Sequence, residues 1–445
     1  MSSPAALSLP WWRSFNREHW FVFVVASLAW MFDCMDQQFF NLARDGAMED
    51  LVGKAAATVK APYTTSIFLL GWATGGLILG ALGDRFGRAK VLTYAILLYS
   101  VCTGLSCLST GLFDFCIYRF LTGIGVGGVF GLAVALVADS VPDHTRAPAL
   151  GALQIASVIG NLAAGLIGMG IGMIAVLPFG LRPWQAMFLV GALPAILCVV
   201  VMAKLKEPPR WIAAKAHGAL TGVKFGSYAS LLGHPRWRKN AWLALAGCSA
   251  GIIGLWGIGN FHPIITRSII GDHLKELNLS AGDMVRAKAF WSSAGLLLQN
   301  IGGFFGMYLL AKIAQSKGRR FAFGLSLILS FASTILVFQF MRGYGDLWML
   351  AVMGFGQLSV FAVYAIYLPE LFPTSLRSTG TSFCYNVGRV VAATAPFTLS
   401  KITASFGGDL AAFRIGGLCV SVVLLLGLAV VPFLPETKGQ PLPEE

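Results

Sequence analysis

Long apolar runs recur along the whole chain and leave few folds open to it. Twelve of them reach about the 20 residues that an α-helix needs to cross a bilayer. They lie at about 20–42, 63–83, 90–110, 114–138, 148–176, 184–204, 240–262, 287–312, 320–341, 347–368, 379–404 and 411–434. Backbone polar groups inside lipid must be satisfied within the chain, so such segments form helices. We predict an all-α integral membrane protein with twelve transmembrane helices.

Composition and charge support this class. The chain is 56% apolar and 12% charged, whereas a soluble domain has about 25% charged residues. A net charge of +13 suits a nucleic-acid partner, but the basic residues lie between apolar runs, as the positive-inside rule expects. We therefore predict no nucleic-acid partner. The eight Cys show no metal-ligand spacing, and no nucleophile and base stand together. We predict no metal, no cofactor and no enzyme activity.

One long polar interruption, at about 205–239, divides the chain. We predict an N-terminal six-helix half at 1–204, a cytoplasmic central loop at 205–239 and a C-terminal six-helix half at 240–445. Lys and Arg are enriched on the side that holds this loop and both termini. The positive-inside rule then predicts a multi-pass protein of the cell membrane with both termini in the cytoplasm.

The two halves repeat each other at an offset of 231 residues. The repeated features are two loop motifs and two pairs of glycines. They are GDRFGR at 83–88 with AQSKGR at 314–319, DSVPDHTR at 139–146 with ELFPTSLR at 370–377, Gly71 and Gly75 with Gly302 and Gly306, and Gly123 and Gly125 with Gly354 and Gly356. Parallel six-helix repeats predict a substrate path between the halves, near the bilayer midplane.

Four motifs carry a resemblance to a known family. They are GDRFGR at 83–88, RFLTGIGVG at 119–127, EPPRW at 207–211 and PETKG at 435–439. With these motifs the chain resembles the major facilitator superfamily over nearly its whole length. The resemblance implies a monomer that moves a small-molecule substrate across lipid by rocking its two halves. The glycines of 119–127 lie inside an apolar run, so we expect close helix packing there, not a dinucleotide loop.

Other motifs bear on the substrate. FDCMD at 32–36 and Asn386-Val-Gly-Arg389 resemble the metabolite:proton symporters, which include aromatic-acid and nicotinate carriers. GLWGIGNFHPIIT at 254–266 lacks the Gln pair of hexose carriers, although 207–211 and 435–439 look like sugar-porter motifs. We predict proton-coupled import of an organic, aromatic carboxylate. The alternatives are a sugar:proton symporter or sugar facilitator and, more weakly, a non-transporting receptor.

Three charged residues lie at one depth of the predicted bilayer. The helical rise puts Asp33 and Asp36 about 20 and 24 Å from the inner face, and Arg119 about 22 Å from it. A carboxylate–guanidinium pair is therefore expected, as the resemblance to sugar/proton symporters also implies. Charges at such depth are usually functional. We predict proton coupling by these three residues, with either Asp36 or Asp33 as the main carrier.

Further polar residues in the apolar runs are candidates for the substrate site. Arg389 lies about 15 Å into its helix, where a guanidinium can bind a carboxylate through two hydrogen bonds. The other predicted lining residues are Gln37, Gln154, Asn161, Trp256, Asn260, Gln299, Asn300, Gln357, Tyr385 and Asn386. Each also suits a plain hydrogen bond between helices.

Charged residues at the loop motifs predict a cytoplasmic gate. They are Asp84, Arg85, Arg88, Asp139, Arg146, Glu370 and Arg377. Salt bridges among them would hold the halves closed on the inside and break when the carrier opens inward. The alternative is that these basic loops serve only to fix the orientation in the membrane.

Overall fold

The computed structural model describes residues 10–173, 178–193, 204–276, 281–392, 394–407 and 410–443. Within these ranges the secondary structure is helical and contains no strand. Ten of the described helices are long and apolar enough to cross a membrane. The all-α membrane class predicted from the apolar runs is confirmed.

Sixteen α-helices are numbered here in chain order. They are α1 (Arg17–Val52), α2 (Lys54–Phe86), α3 (Arg88–Ser106), α4 (Leu112–Ser140), α5 (Asp143–Met173), α6 (Pro183–Gly191), α7 (Pro209–Thr221), α8 (Tyr228–Gly233), α9 (Pro235–Ile252), α10 (His262–Glu276), α11 (Ala281–Lys317), α12 (Arg319–Ile335), α13 (Met349–Tyr367), α14 (Arg377–Ala392), α15 (Ala395–Ser405) and α16 (Leu410–Val430).

The chain forms two compact units, which are described separately. Unit 1 comprises Met1–Ala241, Ala365–Val387 and Gly439–Glu445, and unit 2 comprises Trp242–Tyr364 and Gly388–Lys438. The first part of α14 therefore packs with the N-terminal helices. The predicted halves at 1–204 and 240–445 stay a prediction, and the predicted central loop contains two helices, α7 and α8.

Glycines let the helices of unit 1 cross at backbone contact. A Cβ on Gly75 of α2 would overlap the backbone carbonyl of Ile124 in α4, and one on Gly127 would overlap that of Trp72. Gly125, on another face of α4, abuts the Ala95 carbonyl in α3. The predicted use of the 119–127 glycines, close approach of helices, is confirmed.

Unit 2 repeats this crossing at the glycines predicted to correspond. A Cβ on Gly302 or Gly306 of α11 would overlap the carbonyls of Ala351 and Phe355 in α13. Gly356 abuts the Leu329 carbonyl in α12, as Gly125 abuts α3 in unit 1. The repeat at an offset of 231 residues is therefore a repeat of helix contacts.

Gly75→Val should destabilise the protein, whereas Gly165→Val should not. The valine methyls would force α2 away from α4, and overpacking of this kind costs about 1–3 kcal/mol. Gly165 of α5 has no neighbour that a Cβ would meet, so it is the matched control. The fraction that stays monodisperse after heating measures the effect. Equal heat resistance of the two variants would contradict this account of the crossing.

Candidate functional site

Four charged side chains from four helix ends meet in unit 1. Asp84 lies in the last turn of α2 and Asp139 in that of α4, while Arg88 begins α3 and Arg377 begins α14. All four side chains are fully buried. Arg88 Nη2 lies 2.9 Å from Asp84 Oδ1 and 3.2 Å from Asp139 Oδ2. Arg377 forms an ion pair with Asp139. We call these four residues the loop cluster.

Asp84 also caps the beginning of α14. Its carboxylate accepts the backbone N–H groups of Ser378 and Thr379 at 3.1 and 2.7 Å, and the Thr379 hydroxyl at 2.7 Å. A carboxylate at a helix N-terminus satisfies unpaired N–H groups and interacts favourably with the helix dipole. The segment Ala365–Val387 is thereby joined to the N-terminal helices through buried charges.

Two further predicted gate residues, Arg146 and Glu370, form a second group of charges in unit 1. Arg146 is paired with Asp143, and its Nη1 lies 3.9 Å from Glu370 Oε1. Arg210 Nη2 binds the same Asp143 at 2.6 Å. Arg85 is exposed and takes no part in the described ion pairs. The structure thus places six of the seven predicted residues in two groups of paired charges, while their role as a gate stays a prediction.

Each of the two motifs that look like those of sugar porters places a carboxylate at the beginning of a helix. Glu207 and Glu436 each accept two backbone N–H groups from the first turn of a helix, at distances of 2.9 to 3.1 Å. The donors are Ala89 and Lys90 of α3 for Glu207, and Arg319 and Arg320 of α12 for Glu436. Although burial raises the pKa of Glu436, these N–H donors hold it below its usual range.

Asp36 and Arg119 are fully buried in unit 1, where they bind different hydroxyls of α3. Thr103 Oγ1 donates to Asp36 Oδ1 at 2.8 Å. Arg119 donates to Ser106 Oγ through Nε at 3.1 Å and Nη2 at 2.7 Å. Among the described ion pairs none joins Asp36 to Arg119 by direct contact, but the two charges lie close enough to interact electrostatically. Thr103 and Ser106 are neighbours on one face of α3, so both charges bind the same part of that helix.

Asp33 lies one turn before Asp36 on α1 and is also fully buried. Gln37 Nε2 donates to Asp33 Oδ2 at 3.3 Å. Arg119 also lies over the ring of Phe188, 4.6 Å from its centroid. Asp36 and Arg119 therefore share one buried region of unit 1, formed by α1, α3 and α4, and Asp33 lies one helical turn away on α1.

Aromatic rings lie among the predicted lining residues of unit 1. Tyr385 stacks on Phe130 with centroids 4.1 Å apart, and Phe130 contacts Trp30 at 5.1 Å. Asn386 Nδ2 donates to the Ser382 carbonyl of its own helix at 3.0 Å. In the same unit Gln154 is buried and Asn161 is half-buried.

Unit 2 holds the other predicted lining residues. Gln299 and Gln357 are buried, and Gln357 Nε2 donates to Thr334 Oγ1 at 2.8 Å. Asn300 donates to the Leu296 carbonyl of its own helix at 2.9 Å, so this bond is not the hydrogen bond between helices given as the alternative. In the same unit Trp256 and Arg389 are half-buried, and the side chain of Asn260 lies outside the described part.

Several polar residues of these regions were missed by sequence reasoning. They are Thr103 and Ser106 beside Asp36 and Arg119, Ser378 and Thr379 on Asp84, and the buried His262 of unit 2. The signal for the α3 pair was present, since Thr103 and Ser106 are polar, lie three residues apart and interrupt an apolar run.

A sequence profile described as Major Facilitator Superfamily matches residues 20–396, which is most of the chain. The chain belongs to this superfamily. It is similar to the cis,cis-muconate transport protein of Acinetobacter baylyi, with 26% identity over 94% of this chain and 95% of that protein. It is also similar to the benzoate transport protein of Acinetobacter baylyi, with 26% identity over 85% of this chain and 82% of that protein.

The fold is that of a solved sugar transporter. The proton:xylose symporter XylE bound to 6-bromo-6-deoxy-D-glucose matches with a TM-score of 0.73 and 18% identity, over 95% of this chain and 97% of that one. At this identity the likeness concerns the fold alone. Family membership makes the chain a multi-pass membrane transporter of a small molecule and not an enzyme, and the twelve-helix major facilitator architecture agrees with the fold predicted from sequence.

Proposed function

We propose that this superfamily member imports a small planar organic carboxylate together with protons, by alternating access. The observation that carries the proposal is the fully buried acidic pair Asp33 and Asp36 on α1, joined through α3 to the buried Arg119. Ionisable groups inside a membrane segment are costly to keep unless they serve function.

The carboxylate substrate is supported by two independent features. The relatives include proteins named for benzoate and for cis,cis-muconate, and both compounds are planar carboxylates. Arg389 follows Arg377 by twelve residues on α14, which is about 18 Å along the helix axis and near the middle of a core about 30 Å thick. A guanidinium at that depth fits a carboxylate.

Proton coupling is supported by how Asp36 is held. One carboxylate oxygen accepts the Thr103 hydroxyl, while the other has no hydrogen-bond partner among the described residues. Protonation turns such an oxygen into a donor and removes a charge that is costly to keep in lipid. A change in the separation of Asp36 and Arg119 during the cycle would therefore alter proton affinity.

The loop cluster supports alternating access. Its ion pairs tie the N-terminal helices of unit 1 to the segment Ala365–Val387. Opening on the predicted cytoplasmic side requires these pairs to separate, so their formation favours the state that is closed there. The cluster thus acts on conformational equilibrium and has no role in binding the substrate.

Arg389→Ala should weaken benzoate transport by at least tenfold. A hydrogen bond to a charged group contributes about 1.5–3 kcal/mol, which corresponds to roughly 10-fold to 100-fold in affinity. The measurement is the initial rate of labelled benzoate uptake into vesicles with an inward proton gradient. Arg238→Ala removes an exposed Arg of α9 and serves as the control, with wild-type rates expected.

The same vesicles decide between the alternatives. Uptake of labelled xylose without uptake of benzoate would overturn the carboxylate proposal in favour of a sugar carrier. Specific binding of benzoate without flux would instead indicate a receptor that kept the fold. If Arg389→Ala takes up benzoate at the wild-type rate, the proposed carboxylate substrate class stands, but Arg389 is not part of the binding site.

A further inference from the structure

A cavity with basic walls opens within unit 2. Its volume is about 560 Å³, within the range of small-molecule sites. Its wall comes from α10, the segment after α12 and the beginning of α16. The lining residues that matter here are Ser268, His273, Arg342, Tyr344, Leu410 and Arg414. Among the described residues that line it there are no coupling residues and no predicted substrate residues.

The wall carries two guanidinium groups and, among its described residues, no carboxylate. Arg414 is only 7% exposed and donates to the backbone carbonyls of Phe338 and Met341 at 2.7 and 2.6 Å. Arg342 is exposed at the rim. Nearby Asp346 accepts the backbone N–H of Arg342 at 2.9 Å, so its carboxylate binds the backbone of the segment after α12. The described wall therefore presents excess positive charge.

One side of the cavity is flat and aromatic. The His273 and Tyr344 rings are stacked, with centroids 5.2 Å apart and planes at 24°. Trp291 meets Tyr344 edge-on at 4.7 Å and supports it from outside the cavity. A planar group can lie against such a surface while an attached anion reaches the guanidinium groups.

The cavity lies at the end of unit 2 that is remote from the Glu436 cap. Glu436 accepts the backbone N–H of Arg319 at the beginning of α12. The helical segment that starts there, Arg319–Phe340, has 22 residues. At 1.5 Å per residue this run is about 33 Å long, which is the thickness of a bilayer core. The cavity therefore opens on the membrane face opposite to the predicted cytoplasmic loops.

We propose that this cavity is an external binding site for the carboxylate of a small planar organic anion, separate from the transport site. The ligand class rests on the proposed function, while the site rests on the two guanidinium groups and the stacked rings. Converging positive charge at an entrance raises the local concentration of an anion and its rate of arrival. The site would collect substrate before it enters the transport path.

The test measures binding of 4-fluorobenzoate to the purified full chain by fluorine NMR line broadening. The Arg389→Ala background removes the predicted carboxylate contact of the transport site. In that background we expect broadening to remain, to fall at least fivefold on adding Arg342→Gln, and to persist on adding Lys401→Gln. Lys401 is an exposed cation of unit 2 that does not line the cavity. Neutral 4-fluorobenzamide should show no dependence on Arg342.

Two outcomes would overturn the proposal. One is an Arg389→Ala protein that causes no broadening, and the other is an equal effect of the Arg342→Gln and Lys401→Gln changes. Arg342→Glu, which reverses the charge at an exposed position, is a second variant that tests the same contact by line broadening. Failure of the proposed function is a different result, because wild-type vesicles would then take up no benzoate while the Arg342-dependent broadening could still be present.

Discussion

Asp36→Asn is expected to abolish accumulation of benzoate driven by a proton gradient while leaving benzoate exchange close to wild type. Asn keeps the size of the side chain and an oxygen that can accept the Thr103 hydroxyl. It cannot gain or lose the proton. A carrier that no longer depends on proton binding can still change between its outward-open and inward-open states with substrate bound. Exchange therefore continues, while net accumulation falls by at least tenfold.

The measurement pairs two assays on the same vesicles, uptake driven by a pH difference and exchange of labelled for unlabelled benzoate without one. Asp45→Asn is the matched control, because Asp45 lies on the same helix with 69% of its side chain exposed. Asp33→Asn, compared in the same assays, identifies which acid is the main carrier. Wild-type accumulation by Asp36→Asn would remove Asp36 from the coupling mechanism.

The sequence predicted that Asp36 and Arg119 lie near each other, but not which side chains form hydrogen bonds with them. A rise of 1.5 Å per residue places Asp36 and Arg119 at one depth from the helix boundaries alone. Successive residues are rotated by about 100° around the helix axis. A helix boundary that is uncertain by three residues therefore does not show which neighbouring helix a side chain faces. That is why the pair of charges was predicted from the sequence, while the hydroxyls of Thr103 and Ser106 that bind the two charges were not.

The loop motifs were more informative because they lie at helix ends, where the direction of the chain is fixed by a turn. Asp84 and Arg88 flank Gly87, whose φ of 116° suits glycine, and they bring α2 and α3 to the same buried point. Their partner on α14 was found through the internal repeat. The backbone contacts of Asp84 and Glu207 had no sequence signal, since N–H groups belong to every residue except Pro.

Arg88→Ala is expected to slow turnover more than tenfold while changing benzoate affinity less than twofold. Removing one partner of a buried ion pair costs about 3–5 kcal/mol, because a charge stays behind without compensation. Here Asp84 and Asp139 both lose the guanidinium that lies between them. If the loop cluster favours the conformation closed at that end, as proposed, its loss should shift the conformational equilibrium and leave the substrate contacts intact.

Arg85→Ala separates the two explanations of these basic loops. Arg85 lies three residues before Arg88 in the same motif but is exposed and outside the loop cluster. If ion pairing sets the rate, Arg85→Ala should turn over like wild type while Arg88→Ala is slow. If the loops act only through their positive charge on membrane orientation, the two variants should lose active carriers equally, with unchanged turnover per active carrier. An added external tag is labelled only in carriers that are inserted in the expected orientation. Counting the labelled carriers therefore distinguishes slow turnover from insertion in the opposite orientation.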